Sequence, residues 1–213
     1  MKQGLEEAKA IPETLADDTL ARQQLRQQIE DKLYGEGAPV KEREAHIILG
    51  LPASGKSALA TPLAEKTGSL IIDSDEAKAM LPEFKNGLGA AATHKESSEI
   101  VWQQMFERAV VRGDNIILPL VGKTYENIAN TADTLRRFGY TVHIEYVQVP
   151  VDEAINRAVR RYASTGRLVS PEYLQSVGDQ PKVTYARLKA EKLASSFEWY
   201  NNVGPKPRYV PGR

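Results

Sequence analysis

The sequence predicts an α/β fold, a three-layer sandwich built on a mainly parallel sheet, and two observations predict it. Gly50-Leu51-Pro52-Ala53-Ser54-Gly55-Lys56-Ser57 fits the phosphate-binding pattern G-x-x-x-x-G-K-[ST] at every specified position. Downstream of it, short β-type apolar runs alternate with helical patterns, and such repetition implies parallel strands joined by helical crossovers. Together these give the P-loop NTPase arrangement over residues 45–201, with a helical extension at 1–44 and a tail at 202–213.

The elements follow in order. From about Pro12 to Tyr34, Leu15, Leu20, Leu25, Ile29 and Leu33 recur at near-helical spacing amid Gln, Arg, Glu and Asp, which predicts an amphipathic helix or helix pair. Gly35-Glu36-Gly37-Ala38-Pro39 breaks it, and the charged run Lys41-Glu42-Arg43-Glu44 leads into the core domain. Ala45 to Leu49 reads as a buried strand, and Ser57 to Lys66 as the helix leaving the loop, closed by Gly68. Pro62 falls in the first turn or two of that helix, where a missing N–H costs little. Further strands are predicted at 70–72, 115–120 and 141–147, helices at 96–112, 125–138 and 151–164, and a last short strand at Phe197 to Tyr200. No internal repeat is evident.

Composition narrows the function. The 213 residues suffice for one well-buried domain with an appendage, and 41% hydrophobic content is ordinary for a globular chain. Lys plus Arg number 28 and Asp plus Glu 28, so no general basic field selects nucleic acid as a partner. The absence of cysteine excludes disulfides, thiolate catalysis and zinc ribbons, and fits a reducing compartment. With no apolar run near 18 residues and no signal peptide, a soluble cytoplasmic protein without a membrane partner is expected.

The loop captures anions. Gly50 and Gly55 let the backbone turn N–H groups inward around Pro52, Ala53 and Ser54, and the helix N-terminus adds partial positive charge. Lys56 reaches the outer phosphates and the Ser57 hydroxyl holds magnesium, so ATP and Mg2+ are the expected cofactors. In such a sheet ligands sit beyond the carboxyl ends of the strands, where the second strand ends in Asp73-Ser74-Asp75. Two carboxylates there can order magnesium and accept a proton from an incoming hydroxyl. The competing reading is that one of them merely caps the following helix. Arg157, Arg160, Arg161 and Arg167 flank Gly166, as in a lid that closes over phosphates; a solvated basic helix face would have the same spacing.

GLPASGKS, IIDSDEAK with MLPEF after it, RGDNIIL, FGYTVHIEYVQVP and RRY followed by TGRLVSPE resemble, in order and spacing, the zeta-toxin kinases over roughly residues 45–201. These are P-loop kinases, nucleotide-kinase-like in fold and related to chloramphenicol phosphotransferase. The resemblance implies that Lys56 and Ser57 bind ATP and magnesium, that Asp75 is the general base, and that Arg161 and Arg167 contact ATP phosphates from the lid. It also implies a small antitoxin protein as partner and a phosphorylated product that is toxic. One departure concerns the acceptor. Family members carry Glu-Gly-Thr after the third strand to hold UDP-N-acetylglucosamine, whereas this chain reads Pro119-Leu120-Val121-Gly122-Lys123. Proline cannot replace a carboxylate that hydrogen-bonds sugar hydroxyls without altering selectivity.

The expected acceptor is therefore a nucleotide sugar or a related small molecule, with Asp73, His94, Glu96 and Lys123 as candidate contacts and Asp73 as a second candidate magnesium ligand. His94 and Glu96 would otherwise be a solvated helix-start residue and a surface or capping charge. His46 and His143, inside strands, are expected to be packed or solvated rather than catalytic. Two other readings stay open. One is an ATPase or nucleotide-operated switch, although Asn-Lys-x-Asp and D-x-x-G segments are absent at plausible spacing. The other is a binding module whose leader helix takes a partner or folds back over the acceptor site.

Overall fold

A computed structural model describes residues 11–15, 17–35, 39–165, 169–203 and 208–209. The predicted lid residue Arg167, the middle of the Gly35–Pro39 break and most of the basic tail lie outside these residues. Among the described residues the leader contributes one helix, α1 (Leu20–Gly35), and Pro12 to Thr14 are not helical. Five parallel strands follow: β1 (Glu44–Leu49), β2 (Leu70–Ile71), β3 (Ile116–Leu120), β4 (Thr141–Gln148) and β5 (Ser196–Asn201). A two-residue strand, β6 (Arg208–Tyr209), runs antiparallel to β5, and the sheet order is β2-β3-β1-β4-β5-β6.

Between the strands run α2 (Lys56–Thr67), α3 (Ser74–Met80), α4 (His94–Glu99), α5 (Glu107–Arg112), α6 (Tyr125–Arg137), α7 (Val151–Thr165), α8 (Pro171–Val177) and α9 (Gln180–Ala190). A 3-10 segment, Pro82–Ala90, precedes α4, and a π-helical stretch, Ile100–Phe106, joins α4 to α5. Gly68 closes α2 as expected, at φ 61 with its N–H donating to Ala64. Helices α8 and α9 were not among the predicted elements. Ser170 caps α8 by accepting from the Tyr173 N–H, and proline occupies the first or second position of both, a start signal legible in Ser170-Pro171.

The sheet separates two apolar layers because adjacent residues of each strand face opposite sides. Ala45, Ile47, Leu49, Ile116, Leu118, Val142 and Ile144 face a large core completed by Met105, Leu135, Tyr185 and Trp199. Ile48, Ile117 and Val147 face Ala60, Leu59 and Leu63 of α2. Burial on both faces explains why β1 reads as a continuous apolar run rather than an alternating one. A third cluster, Leu51, Val149, Ala154, Ala158, Leu174 and Val177, anchors α7 and α8 beside the loop.

The leader shares the main core through Ile29 and Tyr34. It is also clamped by charge: Arg22 donates to both Glu83 (2.9 Å) and Glu96 (2.6 Å), and Arg26 donates to Glu96 (2.8 Å). Tyr34 reaches the buried Asp114, next to the start of β3. Among the described residues no helix is long and apolar enough to cross a membrane.

Candidate functional site

Beyond the carboxyl ends of β1, β2 and β3 opens a cleft of about 890 Å³. One wall is the phosphate loop. Ala53 at φ 62 and Gly55 at φ 94 both occupy the left-handed region, which turns the backbone into a concave nest. An alanine there is strained, a feature that recurs where backbone geometry serves a ligand. Glycine at 55 has a second cause: a Cβ would lie 2.1 Å from Nδ2 of Asn202. That amide donates to the Ser54 carbonyl at 2.7 Å, and Arg157 donates to the Asn202 carbonyl at 2.6 Å, so the loop is tied to both β5 and α7. Asn202 was not legible in advance, since nothing local marks an asparagine just past a strand as a brace for a loop 148 residues away.

Lys56 folds across the loop, its Nζ donating to the carbonyls of Gly50 (2.9 Å) and Leu51 (3.0 Å). Gly50 itself packs tightly, as a Cβ there would approach Val147 O to 2.7 Å. Pro52, Ala53, Gly55, Lys56 and Ser57 line the cleft, whereas Ser54 is fully buried and supports the loop from behind.

Opposite the lysine stand the carboxylates. Asp73 is the N-cap of α3 and accepts the Asp75 N–H at 3.0 Å, so the capping reading describes one of its oxygens. Both Asp73 and Asp75 nevertheless line the cleft. Asp75 Oδ1 receives Lys78 Nζ at 3.3 Å, one helical turn on, and the same ammonium lies 3.5 Å from His94 Nδ1. Burial pulls the Lys78 ammonium below its usual pKa, partly offset by Asp73; burial and then the Lys78 charge lower His94. Sequence reading missed Lys78, because a lysine within an α3 rich in charged residues resembles any solvated helix position until burial is known.

Arg161, on α7, faces the carboxylates across the cleft. Burial lowers its guanidinium from the ordinary value and the Asp73 charge raises it. Arg157 lines the cleft as well. The far wall consists of Ala90, Ala91, His94, Ser98 and Trp102, in or beside the 3-10, α4 and π-helical segments, with Pro119, Leu120 and Val121 at the end of β3. Trp102 sits in the π-helical stretch, and such stretches recur at functional sites.

Two candidate contacts lie elsewhere. Lys123 is at the rim, its Nζ 5.6 Å from the ring centre of Tyr173, which lines the cleft. Glu96 is fully buried behind the wall, its carboxylate held by Arg22 and Arg26. Its alternation with His94 along the first turn of α4 sends the two side chains to different sides, so His94 reaches the cleft and Glu96 the leader.

The oxygen donors fit magnesium, a hard cation that takes carboxylate and hydroxyl ligands: Ser57 and Asp73 line the same cleft as the loop. The nest and Lys56 fit a polyphosphate.

Solved structures show the same fold. The PezAT chromosomal toxin–antitoxin system of Streptococcus pneumoniae matches with a TM-score of 0.71 at 15% identity, covering 87% of this chain and 79% of that one. The AvrRxo1-ORF1:-ORF2 complex with ATP matches at 0.70 and 15% identity, covering 89% of this chain and 66% of that one. A putative kinase from Chloroflexus aurantiacus gives 0.50 at 19% identity, covering 65% and 77%. No curated protein sequence matches the chain. The family model of the zeta toxin matches residues 27–206, from within α1 to beyond β5, and the chain belongs to the zeta toxin family of P-loop kinase folds.

Proposed function

We propose that this chain is an ATP- and magnesium-dependent phosphotransferase acting on a hydroxyl of a small-molecule acceptor, a nucleotide sugar or a related compound. The observation that carries this reading is the convergence, in one cleft, of the loop lysine, two strand-end aspartates and a lid arginine. Asp75 takes the proton from the acceptor hydroxyl. The freed oxygen attacks the terminal phosphorus of ATP, the bond to the bridging oxygen breaks, and ADP leaves with that bond's electron pair. Lys56 and Arg161, with Arg167 in the role that the family resemblance implies, stabilise the charge on the transferring group. Ser57 and Asp73 would hold magnesium, which when bound neutralises phosphate charge and orients the group.

Acceptor choice follows the far wall. Trp102 offers a flat face for a ring, His94 and Ser98 offer polar contacts, and Lys78 and Lys123 supply positive charge for an anionic acceptor. Pro119 stands where the family's sugar-binding glutamate would be, which supports an acceptor other than UDP-N-acetylglucosamine. Family membership and the likeness to PezAT support pairing with an antitoxin protein and toxicity of the product, and the cysteine-free composition fits action in the cytoplasm.

The test is transfer of the terminal phosphate of labelled ATP to a panel of nucleotide sugars, nucleosides, dinucleotides and aminoglycosides. Asp75→Asn is expected to bind ATP like the wild type yet transfer about 10²–10⁴-fold more slowly. An Asp75→Asn protein that transfers at the wild-type rate overturns the assignment. Hydrolysis indifferent to every acceptor moves the reading to an ATPase.

A further inference from the structure

At the opposite end of the sheet from the phosphate loop, Glu44 and His46 of β1 and His143 of β4 meet on one face. His46 and His143 are register partners on adjacent parallel strands, and their rings stack with centres 4.7 Å apart. Both imidazoles are oriented through Nδ1. His46 Nδ1 lies 2.6 Å from Glu145 Oε1, and His143 Nδ1 lies 2.7 Å from Ser196 Oγ. Where Glu145 accepts the Nδ1–H of His46, Nε2 is left as a bare acceptor; Ser196 can fix His143 in the same tautomer.

Both Nε2 atoms are buried and lack a hydrogen-bond partner. His46 is more than nine-tenths buried. Glu44 Oε1 lies 3.4 Å from Nε2 of His143 and 3.8 Å from Nε2 of His46. One ligating atom from each of the three residues falls within 4.8 Å of the other two. A tetrahedral metal with bonds of about 2.0–2.1 Å sets its ligands ~3.3 Å apart, so the two edges to Glu44 are nearly closed. The third edge, between the two histidines, is no longer than 4.8 Å and would have to shorten by the rings turning out of their stack toward a common ion.

We propose that Glu44, His46 and His143 form a binding site for a divalent first-row transition metal ion, separate from the magnesium site of the cleft. Two neutral imidazoles and one carboxylate are the donor set such ions take, whereas magnesium prefers an all-oxygen octahedron. Glu145 and Ser196 complete the design from the second layer: a metal-bound histidine characteristically donates its other N–H to a carboxylate or similar acceptor. The three residues border a groove of about 1000 Å³ that also includes Lys66, Glu198 and Tyr200. Three protein ligands leave one position facing that groove, open to water or a small anionic group. The ion bridges β1 and β4 and is independent of the phosphotransfer reading.

The test is Zn2+ binding by the full chain after chelator treatment, measured by equilibrium dialysis, with the absorption spectrum of bound Co2+ reporting the coordination number. The wild type is expected to bind one ion tightly per chain and to give the intense visible bands of a four-coordinate site. Ser196→Ala, which leaves all three ligands in place, is expected to weaken binding by about 10–100-fold. His143→Gln is expected to weaken it further while the circular dichroism of the ion-free protein is unchanged. His94→Ala, in the other cleft, is expected to bind like the wild type. Absence of stoichiometric binding by the wild type, equal binding by His143→Gln, or loss of binding in His94→Ala each overturns the proposal. If His143→Gln does not fold, Ser196→Ala and the Co2+ spectrum decide alone.

Discussion

Gly55 meets two demands at once, a left-handed backbone and the space that Asn202 fills. Replacement by alanine adds about 1–2 kcal/mol of backbone strain and forces the Asn202 amide off the Ser54 carbonyl. Gly55→Ala is therefore expected to lose ATP affinity by more than the strain alone predicts, and Asn202→Ala to lose part of it with Gly55 intact; calorimetric titration with ATP measures both. Equal affinity in wild type and Gly55→Ala would mean that the loop and Asn202 accommodate a Cβ placed 2.1 Å from the amide without consequence. Asp73 shows how one residue type serves two ends. One of its oxygens caps α3, while the carboxylate stays in the cleft near Arg161. The sequence marks the pair Asp73 and Asp75, but capping and ligation use the same atoms and are told apart only by where α3 begins. Glu96 was beyond reach for a different reason: its surroundings come from residues 70 or more positions away.

Helix α1 is held by its charged face as much as by its apolar one. Burial pushes Glu96 up, but hydrogen bonds from Arg22, Thr14 and Arg26, with the Arg22 charge, outweigh it and hold the carboxyl below the usual carboxylate range. A group with a depressed folded pKa contributes stability that is complete above its unfolded pKa and is lost as pH falls through the folded one. The leader's contribution should thus be full at neutral pH and fade below about pH 4.5, the ordinary carboxyl value. Arg22→Met leaves Glu96 buried with one arginine, and breaking a buried pair typically costs about 3–5 kcal/mol. Urea unfolding at pH 7 and at pH 4 should show that loss at the higher pH and a smaller difference between variant and wild type at the lower. A constant difference would show that Arg22 acts by packing alone. No α1 residue lines the cleft among the described residues, so the same substitution is expected to leave ATP affinity unchanged.

On the proposed reading ATP and magnesium bridge the loop, α3 and α7 of the whole molecule, and anything that binds only the folded state stabilises it. At 100 times the dissociation constant the gain is about 2.7 kcal/mol, which for a chain of this size raises Tm by about 5–11 °C. A thermal melt with and without MgATP measures it, and Lys56→Ala should abolish most of the shift. Local pattern was enough for the parallel sheet, the loop, the Gly68 cap and the aspartates at the end of the second strand, since each depends on residues close in sequence: period-2 and continuous apolar runs, glycines at turns, and a lysine placed by its own helix. The π-helical form of the stretch carrying Trp102, and α8 and α9, escaped because tertiary packing overrides weak propensity there. What only the tertiary structure decided is which polar residues meet. Lys78 with His94, Asn202 with the phosphate loop, Glu96 with the leader, and two strand histidines with Glu44 are brought together by strand order and helix packing, and the energies that pair them arise only once water is excluded between segments apart along the chain.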